Sequence, residues 1–500
     1  MSESNGLSRS DLARLVARPP RVHLVGIAGA GMRGLARLFL ERGATVSGSD
    51  MGGAKTLAAL LEEGVRVTTR HLASNLDFDR GLVVASAAID ERNPEVVSAR
   101  EKGLPVAKYA QVLGALAEGR RLVAVAGCHG KTSTAAMLAY ALRELGADPS
   151  WVIGGDVPQL GGSAREGKGE AFVVEACEYD RSFLNFEPEV AVVTNLDRDH
   201  LETFGDFAGV VRGFQAFVDR IRPGGALLVG AADGKRLTTK PGVEKLLVAV
   251  GKPGDVRASG VLERDGRHAF RLSIRGRAAG DCRLAVPGRF QVGNAACAIA
   301  AAARLGLDPR GVARALSAFE GAERRFTRLG EPGGVPVVDD YAHHPTEIAA
   351  TLAAAKRVYP DRRIVAVFQP HQYRRTRALL DEFSKAFADA DLVVLDRIFR
   401  ARDTEADVRS VSSSTLAHRL RERGKRVEYR PDHFGLVALL EAIVQPQDVV
   451  LTLGAGDIDS VGRELVSRLT LRPAGSRIPR PIYHPSPANG AIREPAYPVF

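Results

Sequence analysis

Apolar residues in this chain fall into short runs, each closed by a glycine turn or polar cluster and followed by a segment of helical spacing. From Arg21 to about Gly119 the runs are Val22–Ile27, Thr45–Gly48 and Leu82–Ala85. A second block opens at Arg121–Ala126 and continues with Ala171–Val174 and Val190–Thr194. A third begins near Phe326, with runs at Val335–Val338, Arg363–Phe368, Leu392–Leu395 and Val449–Leu453. Runs that are apolar at nearly every position suit strands buried on both faces, and their alternation with helices predicts an α/β protein with parallel, doubly wound sheets. The expected units are residues 21–119, 120–325 and 326–470. Residues 471–500 carry seven prolines and little periodicity, and read as a mobile tail rather than a domain. No internal repeat is visible beyond the α/β unit itself.

Composition narrows the class. A chain of 500 residues exceeds one core, so two to four domains are expected. Hydrophobic residues make up 45% and charged residues 26%, which is ordinary for a globular protein, and no apolar stretch is long enough to span a membrane. The segment Met1–Pro20 is polar and lacks the apolar core of a secretory signal, which predicts a cytoplasmic protein. Cys128, Cys177, Cys282 and Cys297 are scattered without a CxxC pair, against a disulfide framework or a zinc site. The net charge of +10 comes without a basic block, so it fits a polyanionic small substrate better than nucleic acid.

Three motifs carry chemistry. In the first, Gly29, Gly31 and Gly34 form a GxGxxG turn directly after a strand. At a helix N-terminus such a turn presents free N–H groups and the positive end of the helix dipole to a diphosphate. Asp50, at the end of the next strand, is placed to meet a ribose hydroxyl. This motif alone fits a nicotinamide or flavin dehydrogenase, but any nucleotide diphosphate would suit it.

The second motif is Gly127-Cys128-His129-Gly130-Lys131-Thr132-Ser133-Thr134, again after an apolar strand. Gly-Lys-Thr entering a helix cradles phosphates: backbone N–H groups meet the oxygens, Lys131 neutralises charge and a hydroxyl reaches Mg²⁺. It departs from a strict Walker A loop, since Val125 stands where the first glycine belongs. A dehydrogenase has no use for a second phosphate loop. The third motif pairs Glu175-Ala176-Cys177-Glu178 with Asn195-Leu196-Asp197-Arg198-Asp199-His200, both at strand ends beside that loop. Glu175 and His200 are expected to hold Mg²⁺, while Glu178, Asp197 and Asp199 are expected to be solvated loop acids.

With these segments in view, the chain resembles the Mur ligase family from about Arg21 to Leu469. The resemblance rests on VGIAGAGM, GCHGKTST, EACEYDRSFLNFEPEVAVVTNLDRDHLE, PGRFQVGNAACA, RRF, DDYAHHPTEI, FQPHQYRRTR and LGAGDI in combination. It implies a Rossmann-like N-terminal domain for a UDP-sugar, a central P-loop-type ATPase domain and a Rossmann-like C-terminal domain for the amino acid. It further implies ATP and Mg²⁺ as cofactors, and UDP-N-acetylmuramate and L-alanine as substrates joined through an acyl phosphate.

Residue by residue, the resemblance places Gly127, Cys128, His129, Gly130, Lys131, Thr132, Ser133, Asn294, Arg325 and Asp339 at ATP. It places Gly29, Ala30, Gly31, Met32, Asp50 and Ser86 at the UDP-sugar. Tyr341, His343, His371, Arg375 and Arg377 fall around the amino acid and the substrate carboxylate, and Thr132, Glu175 and His200 at the metal. Lys131, His343 and Arg375 are the expected catalytic groups. His343 either positions the carboxylate or takes a proton from the amine, and a structural histidine is the competing reading.

Several positions depart from the family pattern. Cys128 replaces a threonine, Phe290-Gln291 replaces His-Asn in the segment reaching adenine, Gln372 replaces an arginine, and Asp403 replaces a glutamate. No lysine lies between Leu201 and Gly234, where some relatives carry a carbamylated one. Two other functions fit less well: a recycling ligase adding a preformed peptide to the same sugar, and a nucleotide-binding protein or NAD-type dehydrogenase.

Overall fold

Three sheets follow one another along the chain in the computed structural model, which describes residues 8–52 and 54–471. The first holds β1 (Arg21–Val25), β2 (Thr45–Ser49), β3 (Arg66–Thr68), β4 (Leu82–Ala85) and β5 (Val106–Lys108), all parallel, in the order β3-β2-β1-β4-β5. The run at Val22 stops short of Ile27 because Gly26, at φ +83°, turns the chain out of the sheet.

The second sheet has ten strands. They are β6 (Arg121–Ala126), β7 (Ser150–Val152), β8 (Ala164–Arg165), β9 (Ala171–Glu175), β10 (Val190–Val193), β11 (Ala226–Gly230), β12 (Glu244–Val250), β13 (Val256–Arg264), β14 (Arg267–Ile274) and β15 (Arg277–Leu284). Their order is β15-β14-β13-β12-β11-β10-β6-β9-β7-β8. The strands from β13 to β7 in that order are parallel, while β14, β15 and β8 join antiparallel. The third sheet holds β16 (Thr327–Gly330), β17 (Val337–Asp340), β18 (Arg363–Phe368), β19 (Leu392–Leu395), β20 (Val427–Tyr429) and β21 (Asp448–Leu453), in the order β16-β17-β21-β18-β19-β20. The divisions expected at 119/120 and 325/326 fall in the connections between sheets. Apart from Leu471, the expected tail lies outside the described residues.

Burial explains which helices the strands carry. The helix Lys131–Glu144 is enclosed nearly all round and packs on the alanine-rich helix Phe290–Arg304. Small side chains let two helices approach closely on one sheet face. One apolar cluster runs unbroken from the first sheet into the second, taking in Phe39, Leu113, Phe172, Phe183 and Phe214. The third sheet has its own clusters on its two faces, around Phe368 and Phe383 on one and Val367 and Leu440 on the other. Among the described residues, no cluster of buried apolar side chains joins the second layer to the third.

The first sheet also buries a polar knot. Glu95, fully buried, accepts hydrogen bonds from Ser49 Oγ (2.6 Å) and Asn75 Nδ2 (2.6 Å), and lies 3.1 Å from His23 Nε2 and 2.9 Å from His71 Nδ1. A buried carboxylate needs such partners. The knot ties β1, β2 and the helix Pro94–Glu101 together, with His23 Nδ1 2.9 Å from Ser47 Oγ.

Candidate functional site

The phosphate loop leaves β6 and enters the helix Lys131–Glu144 through two glycines at positive φ, Gly127 (+130°) and Gly130 (+81°). A Cβ on Gly130 would sit 2.7 Å from Asn294 Oδ1, so the helix Phe290–Arg304 closes directly on the loop. Lys131 curls back over the cradle. Its ammonium donates to Gly127 O (2.6 Å), Cys128 O (3.1 Å) and Glu178 Oε1 (2.9 Å). Burial opposes its charge, but Glu178 and its acidic neighbours raise its pKa above the usual lysine value. An arriving phosphate therefore meets a lysine already charged and held in the loop.

Glu178 is 1% exposed, and its second oxygen is buried with no hydrogen-bond partner among the described residues. The expectation of a solvated loop acid is corrected here, and for the other two acids as well. Asp199 is 6% exposed and pairs with Arg375 at 2.9 Å, and Asp197 accepts from His129 and Thr346. Burial pushes the Asp199 pKa up, yet Arg375 above all holds it well below the usual carboxylate range.

The expected metal set divides in two. Glu175 accepts from Thr132 Oγ1 (3.1 Å) and from Gly154 N–H (2.7 Å). His200 groups instead with Glu178 and Asp199, its Nε2 lying 3.9 and 4.0 Å from their oxygens. Glu178 Oε1 is shared between Lys131 and His200. Hard carboxylate and hydroxyl oxygens next to a phosphate cradle fit Mg²⁺, which binds few protein ligands and completes its shell with phosphate and water.

Between the second and third layers opens a cavity of about 300 Å³, lined by His129, Phe290, Asn294, Arg325, Asp340 and Glu347 among others. Phe290 is 43% exposed on its wall. Gln291 is turned inward, its Oε1 accepting from Asn294 Nδ2 at 2.9 Å, so this amide props Asn294 rather than facing the cavity alone. Arg325 donates to Thr132 Oγ1 (3.1 Å) and lies over the Tyr341 ring.

Asp339, expected at the nucleotide, is fully enclosed by Arg324 (3.0 Å) and Thr452 (2.7 Å). The acid on the cavity wall is its neighbour Asp340, pushed up to about 6 by burial. Alternation along β17 sends the two carboxylates to opposite faces.

Tyr341, His343 and His371 gather as expected. The His343 ring lies 5.3 Å from that of Tyr341 and 5.9 Å from that of His371, which in turn stacks on Phe399. Burial lowers His343 to about 4 and His371 to about 2, so both are neutral at physiological pH. Arg375 joins them through His371 Nδ1 (3.4 Å). Arg377 does not. It is 55% exposed, 4.0 Å from Asp407, and borders a second cleft of about 200 Å³ that Asp199, His200 and Arg375 also line. Two residues along a helix point to different sides, so Arg375 is buried against Asp199 and His371 while Arg377 stays at the rim. Of the departures, Gln372 donates to Ala401 O, and Asp403 accepts from the Arg374 and Ala401 N–H groups.

In the first layer, Gly29 caps the helix Ala30–Glu41 without a side-chain bond, leaving that N-terminus open. A Cβ on Gly31 would meet Tyr109 Oη at 2.7 Å. Gly34 faces Ala164 of β8 and serves packing between the first two layers rather than the turn. Asp50 also shapes the glycine turn from below: its two oxygens accept from Ala28 N–H (2.9 Å) and Gly52 N–H (3.0 Å). Ser86 Oγ accepts from Ala88 N–H at 3.3 Å, beside Gly26.

The reading from sequence missed Glu347, Thr346 and Asn195. His129 Nδ1 lies 3.1 Å from Glu347 Oε1, its Nε2 is 2.9 Å from Asp197 Oδ2, and its N–H donates to Asn195 Oδ1. The available signal was His-Pro-Thr-Glu, a helix start with its cap, a proline at the first position and an acid at the third. Burial resists the His129 charge, but bonds to Asp197 and Glu347 raise its pKa to about 9. A group raised on folding stabilises fully below its free value near 6.5 and stops doing so as pH rises through about 9. The His129 ring proton, followed by NMR, should therefore titrate near 9, with contact between the second and third layers weakening over the same interval. A midpoint near 6.5 would break this account.

Comparison with known proteins places these features. Residues 21–121 match the Mur ligase family catalytic domain, residues 125–302 the Mur ligase middle domain, and residues 324–456 the Mur ligase glutamate ligase domain. The chain is 42% identical over 467 residues to a UDP-N-acetylmuramate–L-alanine ligase of Saccharopolyspora erythraea, covering 91% of this chain and 95% of that protein. It is 39% identical over 449 residues to the ligase of the same name from Desulfitobacterium hafniense, covering 90% and 100%. Among solved structures, a UDP-N-acetylmuramate–alanine ligase of Thermotoga maritima superposes with a TM-score of 0.76 at 28% identity, over 90% of this chain and 98% of that one.

Proposed function

The chain belongs to the Mur ligase family, and on that premise we propose that it joins L-alanine to the carboxylate of UDP-N-acetylmuramate at the expense of ATP, a step of peptidoglycan precursor synthesis. The observation that carries the reading is the pair of separate anion cradles, at Gly29–Gly34 and Gly127–Thr132, on two different sheets. Relatives covered almost end to end carry the alanine-adding name, which favours a free amino acid over a preformed peptide. No helix among the described residues is long and apolar enough to cross a membrane.

A carboxylate is a poor acyl donor. In this reading the sugar's carboxylate attacks the γ-phosphoryl group of ATP, giving an acyl phosphate and ADP. The alanine amine then attacks that carbonyl, and phosphate departs from a tetrahedral intermediate. Lys131, already charged, stabilises the oxygens of the transferring group. Thr132 and Glu175 on one side of the cradle and His200 on the other would hold Mg²⁺, which would supply positive charge against the phosphates. Arg375, backed by Asp199, orients the reacting carboxylate, while neutral His343 accepts a hydrogen bond from the amine and positions it.

A low pKa makes His343 a weak base. That favours positioning over full proton removal. Helix N-terminal N–H groups of Ala30, Gly31 and Met32 take the UDP diphosphate, with Ser86 beside them. Asp50 acts through the turn it shapes.

Release of ADP, measured with UDP-N-acetylmuramate and each amino acid in turn, tests the whole reading. Turnover with L-alanine is expected, and no turnover with any amino acid would end it. Phe290 should stack on the base, so Phe290→Ala should raise KM for ATP about fivefold, the lower end of aromatic–base stacking given its exposure. Unchanged KM would remove Phe290 from the nucleotide site.

A further inference from the structure

Apart from the Arg375–Asp199 pair, several contacts between the second and third layers gather around one side chain of the phosphate loop. The backbone around His129 is pinned to its own layer: its N–H donates to Asn195 Oδ1, and its carbonyl accepts from Thr194 Oγ1 (2.6 Å) and Asn195 Nδ2 (3.0 Å). Its ring spans the gap, with Asp197 of the second layer on one nitrogen and Glu347 of the third on the other. Glu347 is itself shared. Oε1 faces His129, while Oε2 accepts from the His343 N–H (3.1 Å) and the His344 N–H (3.3 Å). Thr346 Oγ1 adds a second tie by donating to Asp197 Oδ2 at 2.7 Å.

One carboxylate thus connects the loop that cradles phosphate to the turn that carries His343. His129, Asp197 and His344 also lie close enough to hold a metal ion. Every one of their side-chain polar atoms nevertheless has a neighbour within the protein, so the geometry favours a bridge over an ion site.

We propose that His129 is a positioning residue for the ligation: by joining Asp197 to Glu347 across the layers, it sets the His343 turn relative to the phosphate loop. This inference rests on the ligase reading above. A bridge between two bodies contributes only when they meet, so its loss lowers the population of the assembled site without altering the first-layer sugar site. The effect therefore falls on kcat and on KM for L-alanine, because the amino acid reacts last and on the third layer. Affinity for UDP-N-acetylmuramate stays unchanged.

The test is a double-mutant cycle on the full chain. His129→Ala and Glu347→Gln are each expected to lower kcat at least about tenfold, and the double variant to be no worse than the weaker single, because both remove the same bridge. His129→Gln, which keeps one hydrogen bond, should fall between wild type and His129→Ala. Titration with UDP-N-acetylmuramate, watched by calorimetry, should give wild-type affinity throughout and reports folding independently of turnover. If His129→Ala fails that control, Thr346→Val with Glu347→Gln is measured in its place, and unchanged kcat there overturns the inference. It is equally overturned if the two single effects multiply in the double variant, or if His129→Ala raises KM for ATP alone. A wild-type protein that releases no ADP would instead defeat the ligase reading itself.

Discussion

Lys131→Ala should lower kcat for ADP formation by about 10³-fold or more, the scale seen when a group that stabilises developing charge is removed. UDP-N-acetylmuramate should still bind within about twofold of wild type, since that site lies on a different sheet and distant effects are independent. The same variant strands Glu178, which is 1% exposed and loses its ammonium partner. An uncompensated buried charge costs about 3–5 kcal/mol, so the thermal midpoint should fall as well. Two effects of different origin can be separated. Adding Glu178→Gln to Lys131→Ala should restore much of the melting temperature and none of the turnover. If turnover returned with the melt, the lysine would be structural, and phosphate stabilisation would have to come from elsewhere in the loop.

Arg375→Ala removes a second buried cation of the site. Arg375 comes from the third layer and Asp199 from the second, and both are under a tenth exposed. Breaking such a pair by deleting one partner is expected to cost about 3–5 kcal/mol, whereas replacing both by neutral groups of similar shape costs far less. Arg375→Ala should therefore loosen docking of the third layer, visible as a larger radius of gyration in solution scattering with a non-hydrolysable ATP analogue. Asp199→Asn combined with Arg375→Met should dock again but remain inactive, because no cation faces the reacting carboxylate.

The pH dependence has a definite direction. Asp199 is held below its free value near 3.8, so its contribution is present above about pH 4 and is lost as pH falls through the lower, folded value. Loosening of wild type between pH 5 and 6, below the range over which His129 titrates, would contradict the pairing.

Much of this was legible in the chain because its signals are local. A strand followed by glycines and a helix specifies a cradle within a dozen residues, and Lys131, Thr132 and Glu175 sit where that logic puts them. Long-range partnerships were not legible. Glu178 and Asp199 read as loop acids because their cations, Lys131 and Arg375, lie 47 and 176 residues away. Asp339 and Asp340 could not be told apart without knowing which face of β17 meets the cavity. That Asp50 braces the glycine turn was not legible either, because Ala28 lies 22 residues from it. The strands β12–β15 escaped notice because several of their positions are exposed, which breaks the continuous apolar runs that marked the others.

The two junctions in this molecule are made of different forces. Oily side chains weld the first layer to the second without interruption, while the second meets the third through imidazole, carboxylate and guanidinium groups. Salt acts on these unequally, since dissolved ions screen little of a pair as enclosed as Arg375 and Asp199, while water-structuring salts reinforce apolar contact. Ammonium sulfate should therefore tighten the first junction more than the second. The joint between the second and third layers thus owes its strength to how well each charge is matched, and the first joint to how much surface is hidden from water.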